Sequence, residues 1–139
     1  EFQKEGRNLK FDASELEKEF GTFVRALRDK ALERDFSLGK VPESVFWLIN
    51  DGVFIGRITI RHALNEYLYR FAGHIGYEIR PSERGKGYGR RLLSLGLAEA
   101  GRLGLERVMV ICEANGGILE GAGRPEGHKA VLLRYWIAL

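Results

Sequence analysis

Arg84-Gly85-Lys86-Gly87-Tyr88-Gly89-Arg90 is the stretch on which the reading of this chain turns. Alternating glycines sit among basic residues, after a segment with strand-like alternation and before one with helical periodicity. Glycines at this spacing remove side chains from the backbone, so successive N–H groups can close around an anion. The helix that follows brings the positive end of its dipole to the same place. The expectation is a phosphate site between a strand and a helix.

Immediately upstream, His74 to Arg80 alternates, with Ile75, Tyr77 and Ile79 on one face and His74, Gly76, Glu78 and Arg80 on the other. Pro81 cannot donate to a sheet ladder and ends this strand. Downstream, Leu92, Leu93, Leu97, Ala100 and Leu103 outline a helix that Gly104 can terminate. Val108 to Cys112 is an unbroken apolar run, the pattern of a strand buried on both faces. Strand, helix and strand make a βαβ unit, which implies a parallel pair joined by a right-handed crossover.

Further out, Ser44 to Asn50 and Val53 to Arg61 read as a strand pair, because Asp51-Gly52 between them is a strong two-residue turn signal. Val53 and Ile55 differ in parity from Ile58 and Ile60, so a bulge is predicted at Gly56-Arg57 to put all four on one face. His62 to Ala72 is an amphipathic connection. Asp12 to Arg34 carries Leu16, Phe20, Phe23, Val24, Leu27 and Ala31 at helical spacing, with Asp12 or Ser14 available as a cap. Glu1 to Arg7 reads as the end of another helix. Asn115 to Glu120 and Lys129 to Leu139 read as two further strands, with Gly121 to His128 as a loop between them. The order helix, hairpin, βαβ, hairpin gives an α/β class with a mixed sheet.

Composition narrows the function classes. At 139 residues the chain is long enough for one domain with its own core. The net charge of +3 permits an anionic ligand but is too small to suggest a nucleic-acid partner, whose basic residues dominate a face or tail. Cys112 is the single cysteine, which excludes an intrachain disulfide and points to the cytoplasm. Its place in an apolar run reads as packing rather than nucleophile. No stretch reaches the roughly 18 apolar residues of a membrane span, and no metal-ligand spacing is visible.

The loop lacks the Gly-Lys-Ser/Thr ending of a nucleotide-hydrolase P-loop and the G-x-G-x-x-G spacing of a dinucleotide fingerprint. Arg84-Gly85-Lys86-Gly87-Tyr88-Gly89 does match, at each fixed position, the Gln/Arg-x-x-Gly-x-Gly/Ala loop of the GNAT superfamily of N-acetyltransferases. The resemblance covers about Phe46 to Leu139. Within it His74-Ile75-Gly76-Tyr77, Arg80-Pro81-Ser82-Glu83-Arg84, Asn115-Gly116-Gly117 and Arg134-Tyr135-Trp136 resemble one bacterial subgroup of acetyltransferases. It implies the GNAT fold: a mixed, mostly antiparallel sheet with a central splayed parallel strand pair and flanking helices.

The resemblance also implies roles. Acetyl-CoA would be the co-substrate, with its pyrophosphate on the backbone of Arg84, Gly85, Lys86, Gly87, Tyr88 and Gly89. The Arg84, Lys86 and Arg90 side chains are cations within reach, and Arg91 reads as a solvated helix residue. Ile79 and Arg80 would pair with the pantetheine arm, and an N–H near Ile79 would stabilise the oxyanion. The acceptor would be a primary amine of a small molecule or peptide. An amine like that of lysine titrates near pH 10.4 (an approximate reference value), so a base must take its proton. Glu78 and His74 are the candidates, each with a plain alternative as a solvated strand residue or a structural hydrogen-bonding group. Arg61, His62 and Asn65 follow the second hairpin strand, where family members place substrate contacts, though ordinary surface roles explain them equally well. Tyr135, Trp136 and Ile137 supply apolar surface for a homodimer or for the core. The rival reading is a non-catalytic acyl-CoA-binding module.

One departure stands out. The family has a helix after the apolar strand, but here Cys112-Glu113 runs directly into Ala114-Asn115-Gly116-Gly117. Two residues barely make the crossover from a buried strand to the next, so the expectation is that the full protein has further residues there, and a first strand before Glu1. An intact mass equal to 15.7 kDa would make the deletion real.

Overall fold

A computed structural model describes residues 1–5, 19–32, 40–113 and 132–139. The expected helix start at Asp12 to Glu17, the expected strand Asn115 to Glu120 and the loop Gly121 to His128 lie outside them. So does the stretch after Glu113 where the sequence departs from the family's pattern.

The Asp51-Gly52 signal produces the hairpin it predicts. Strands β1 (Glu43–Asn50) and β2 (Val53–Arg61) pair antiparallel, and φ is +48° at Asp51 and +76° at Gly52. Positive angles at both turn residues match the twist of the flanking strands. The bulge, however, falls earlier than predicted. The register runs from Leu48↔Gly56 to Ile49↔Phe54, which makes Ile55 the extra residue. Ile55 thereby joins Ile58 and Ile60 in the interior, while Val53 stays at the hairpin tip, 44% exposed. The inserted residue puts Val53 on the same face as Ile58 and Ile60, opposite Asn50, but its place at the turn leaves it beyond the core.

The remaining strands are β3 (Ile75–Ile79), β4 (Arg107–Glu113) and β5 (Leu132–Ala138), giving a five-stranded sheet in the order β1-β2-β3-β4-β5. β2–β3 and β4–β5 are antiparallel, and β3–β4 is the parallel pair. The helices are α1 (Phe20–Leu32), α2 (Glu66–Phe71) and α3 (Tyr88–Arg102), with 3-10 turns at Phe2–Glu5 and Pro81–Glu83.

The core forms where α3 crosses β2 and β3. Leu92 and Ala100 of α3 meet Ile58, Ile60, Ile75, Ile79 and Val108 of the sheet. Gly96 sets the approach: a Cβ there would lie 3.3 Å from Ile58 Cγ1 and closer still to its Cδ1, so only a glycine lets the helix lie this low. The helix ends as its sequence predicts. Gly104 N–H donates to Gly101 C=O at 3.0 Å and Leu105 N–H to Ala100 C=O at 3.1 Å, the paired bonds of a glycine-terminated helix. On β4, Val108, Met109 and Ile111 are all buried, as a strand covered on both faces requires. At the other edge of the sheet, Phe20 and Phe23 of α1 pack on Trp47 of β1, which meets Phe54 edge-on at 5.7 Å.

Candidate functional site

The parallel pair is joined at a single register position, Ile75↔Val110. β3 then runs on to Ile79 and β4 to Glu113 with no further pairing between them, so the sheet opens into a V. Alternation decides what β3 presents to that opening. Arg61 N–H donates to His74 C=O and Arg80 N–H to Ile55 C=O, both at 2.8 Å. These bonds mark the His74 C=O, the backbone groups of Gly76 and Glu78, and the Arg80 N–H as the groups that face β2. The N–H and C=O of Ile79 therefore face the opening.

The glycine loop lies at its mouth. Gly85 has φ +75° and Gly87 φ +83°, and a Cβ at either would meet open space. Conformation, not crowding, demands glycine here. Gly87 caps α3 without a side chain. The N–H groups of the first helical turn point outward with no intrahelical partner, as at any helix start. A Cβ on Gly89 would lie 3.6 Å from Tyr77 Cε2 and 3.9 Å from Ile79 Cγ1, so this first turn rests directly over the end of β3.

The loop's cations divide. Lys86 Nζ donates to Glu83 at 3.1 Å, while Arg90 and Arg91 are exposed. Arg84 is turned back on the protein. Its Nε donates to Ile79 C=O at 3.0 Å, and its Nη1 and Nη2 donate to the two carboxylate oxygens of Glu5 at 2.7 and 2.9 Å. Arg80 pairs with Glu1, whose carboxylate also accepts from Ser82 N–H at 3.0 Å and Ser82 Oγ at 3.1 Å. The Ser82 N–H above all, then Arg80, holds the Glu1 carboxyl down at about 2 against the opposing effect of desolvation. The backbone and side chains at Arg80 to Ser82 thus hold a carboxylate at the start of the loop.

Of the candidate bases, Glu78 lies beside Ile79 on the face away from α3. It is directly opposite Arg57 of β2 and ion-paired with it; its side chain is 7% exposed and that of Arg57 38%. His74 lies at the other end of β3, about 13 Å away along the strand. Its Nδ1 accepts the Met109 N–H at 3.0 Å, and its ring meets Trp136 edge-on at 5.9 Å. That bond places the proton on Nε2, and burial, then the Arg61 charge, lowers the ring's pKa and favours this neutral form.

The three residues expected at the acceptor side gather at this same far end. Arg61 Nη1 donates to Gly73 C=O at 3.2 Å. His62 Nε2 lies 2.9 Å from Ser44 Oγ, with its pKa lowered by burial. Asn65 Oδ1 accepts the Leu68 N–H at 2.8 Å and caps α2. The structure therefore brings Glu78, Ile79, Arg80 and the loop together, and sets His74, Arg61, His62 and Asn65 apart from them. Sequence reasoning missed Arg57 and Glu5, whose roles follow from strand register and from a contact across the chain. Among the described residues no cluster of three or more His, Cys, Asp or Glu could hold a metal ion, and no helix is long and apolar enough to cross a membrane.

A splayed parallel pair with a glycine loop and helix start at its mouth is the arrangement the family resemblance implied. The model of the acetyltransferase (GNAT) family matches residues 11–117, well over half of the chain. The chain belongs to the GNAT family. The match reaches further towards the N-terminus than the motifs alone, which began at Phe46, and takes in α1. No curated protein and no solved structure matches the chain. GNAT proteins are acetyltransferases that use acetyl-CoA as co-substrate, and membership supports acyl-CoA-dependent acetyl transfer in general. The residues fit that molecule: outward N–H groups and a dipole for its phosphates, beside an opening with a strand edge for its extended arm.

Proposed function

We propose that this GNAT protein transfers an acetyl group from acetyl-CoA directly to a primary amine. The observation that carries the reading is the single-position pairing of β3 with β4, which leaves the Ile79 N–H facing the cleft beside the glycine loop. Gly85 to Gly89 and the first turn of α3 would hold the pyrophosphate, with Arg90 adding charge. Acetyl-CoA, when bound, supplies an activated carbonyl and a thiolate leaving group.

Glu78 is the base in this reading, because it shares the end of β3 with Ile79, whereas His74 is at the opposite end with its Nδ1 engaged. Glu78 takes a proton from the incoming ammonium, the freed amine nitrogen forms a bond to the acetyl carbon, and the carbon–sulfur bond breaks. The second proton of the nitrogen passes to the departing thiolate, giving the amide and the CoA thiol. The Ile79 N–H donates to the oxygen as it gains charge. The Arg80 N–H is engaged by Ile55, so Ile79 is the stronger candidate for the backbone contact.

A second reading, a non-catalytic acyl-CoA-binding module, draws support from the Arg57–Glu78 ion pair, which already engages the candidate base. Calorimetry with CoA and an assay of acetyl-CoA consumption over amino acids, polyamines and peptide N-termini separate the two. Binding with transfer supports the enzyme, and binding without transfer to any amine supports the module. Absence of CoA binding by the full protein would sink both.

A further inference from the structure

Arg84 opens the glycine motif, and its charge suggests a phosphate ligand. Its geometry assigns it other work. The peptide linking Ile79 to Arg80 is the last of β3, and it is held from two sides. Its N–H, that of Arg80, donates to Ile55 C=O at the β2 bulge, 2.8 Å away. Its carbonyl, that of Ile79, accepts from Arg84 Nε at 3.0 Å. Between the two bonds the peptide plane can neither rotate nor slide, so the strand end is fixed where the cleft begins. The rest of the guanidinium is occupied as well, since both terminal nitrogens face the Glu5 carboxylate. A planar fork forming a two-bond pair with a carboxylate has its charge matched within the protein.

We propose that Arg84 is a positioning residue which pins the Ile79–Arg80 peptide, and that it is not a ligand of the co-substrate's phosphates. The inference rests on the acyl-CoA reading of the cleft given above. What positioning needs from Arg84 is the single Nε donor; what phosphate binding needs is its charge. Glutamine separates the two requirements. Its amide nitrogen occupies the same place along the side chain as the arginine Nε, can donate to the same carbonyl, and carries no charge. Methionine is of similar length and has neither.

The test compares Arg84→Gln and Arg84→Met in the full protein. Calorimetry with CoA is expected to give both variants a Kd within about twofold of the parent, because no phosphate contact is lost. Amide hydrogen exchange at Arg80 should stay slow in R84Q and accelerate about tenfold or more in R84M, as the strand end opens locally. With the amine that the acceptor panel returns, R84M should lower kcat about tenfold with KM for acetyl-CoA nearly unchanged, and R84Q should restore it. A rise of tenfold or more in the CoA Kd of R84Q would make Arg84 a phosphate ligand and overturn the proposal. Undiminished protection of Arg80 in R84M would overturn it equally. If the parent itself binds no CoA, the acyl-CoA reading fails, and the exchange experiment still decides whether Arg84 pins the peptide.

Discussion

The two ends of β3 are built for opposite purposes. At the Ile75 end the strand is joined to β4: the single register pair is there, His74 N–H donates to Met109 C=O at 2.8 Å, and Met109 N–H returns a bond to the His74 ring. At the Ile79 end the strand leaves β4 and is held instead by β2 and by Arg84. One end closes the sheet and the other opens it. Both carry a buried titratable side chain on the same face, so burial alone does not mark the chemistry. The partner does: His74 is bonded to backbone that holds strands together, and Glu78 to a half-exposed arginine beside the opening.

That contrast can be broken in several ways. The largest effect is expected at the open end. Glu78→Gln should lower kcat by about 10²–10⁴, the usual range for a lost general base, with little change in CoA affinity. Steady-state kinetics set against calorimetry checks this, and an unchanged kcat would remove Glu78 from the chemistry. Gly87→Val should weaken CoA binding roughly ten- to a hundredfold, because a non-glycine residue costs about 1–3 kcal/mol in this left-handed conformation. Calorimetry reads it directly.

Beneath both ends, Gly96→Val should destabilise the fold by about 1–3 kcal/mol through overpacking against Ile58. Chemical denaturation measures that loss, and CoA affinity of the folded variant should be retained.

The closed end predicts a pH effect on stability. Burial, then Arg61, lowers the pKa of His74, and burial lowers that of His62. The unfolded chain therefore takes up protons at higher pH than the folded one. Stability should be full above about pH 6.5 and decline as pH falls towards the folded-state values. A drop of roughly 2–4 °C in Tm between pH 7 and pH 5, reduced in His74→Gln, is the expected signature. The smallest effect should come from exposed Arg91, whose change to Met should shift stability by less than about 0.5 kcal/mol.

Local features were legible before any coordinates. The Asp51-Gly52 turn needs only two residues that tolerate positive φ, and both adopt it. The end of α3 at Gly104 and the burial of β4 follow from patterns within one element. The bulge was legible as a parity fault but not in place, because its position depends on how β1 pairs with β2. The candidate site was legible as the loop and the end of β3. The sequence left Glu78 and His74 level, because alternation shows a shared face and not the position along it, and Arg61, His62 and Asn65 entered only through the family resemblance.

What the chain determined alone was whatever short-range sterics and periodicity control: the Asp51-Gly52 turn, the end of α3, the apolar strand and the glycine loop. Tertiary structure decided the rest. Whether two strands stay together or part after Ile75 depends on pairing between residues 35 positions apart in sequence (Ile75 and Val110). Whether Arg84 faces a phosphate or a peptide depends on where Ile79 and Glu5 arrive in space. Neither outcome is encoded in a local pattern, because the energies that set it belong to contacts made only after the chain has folded.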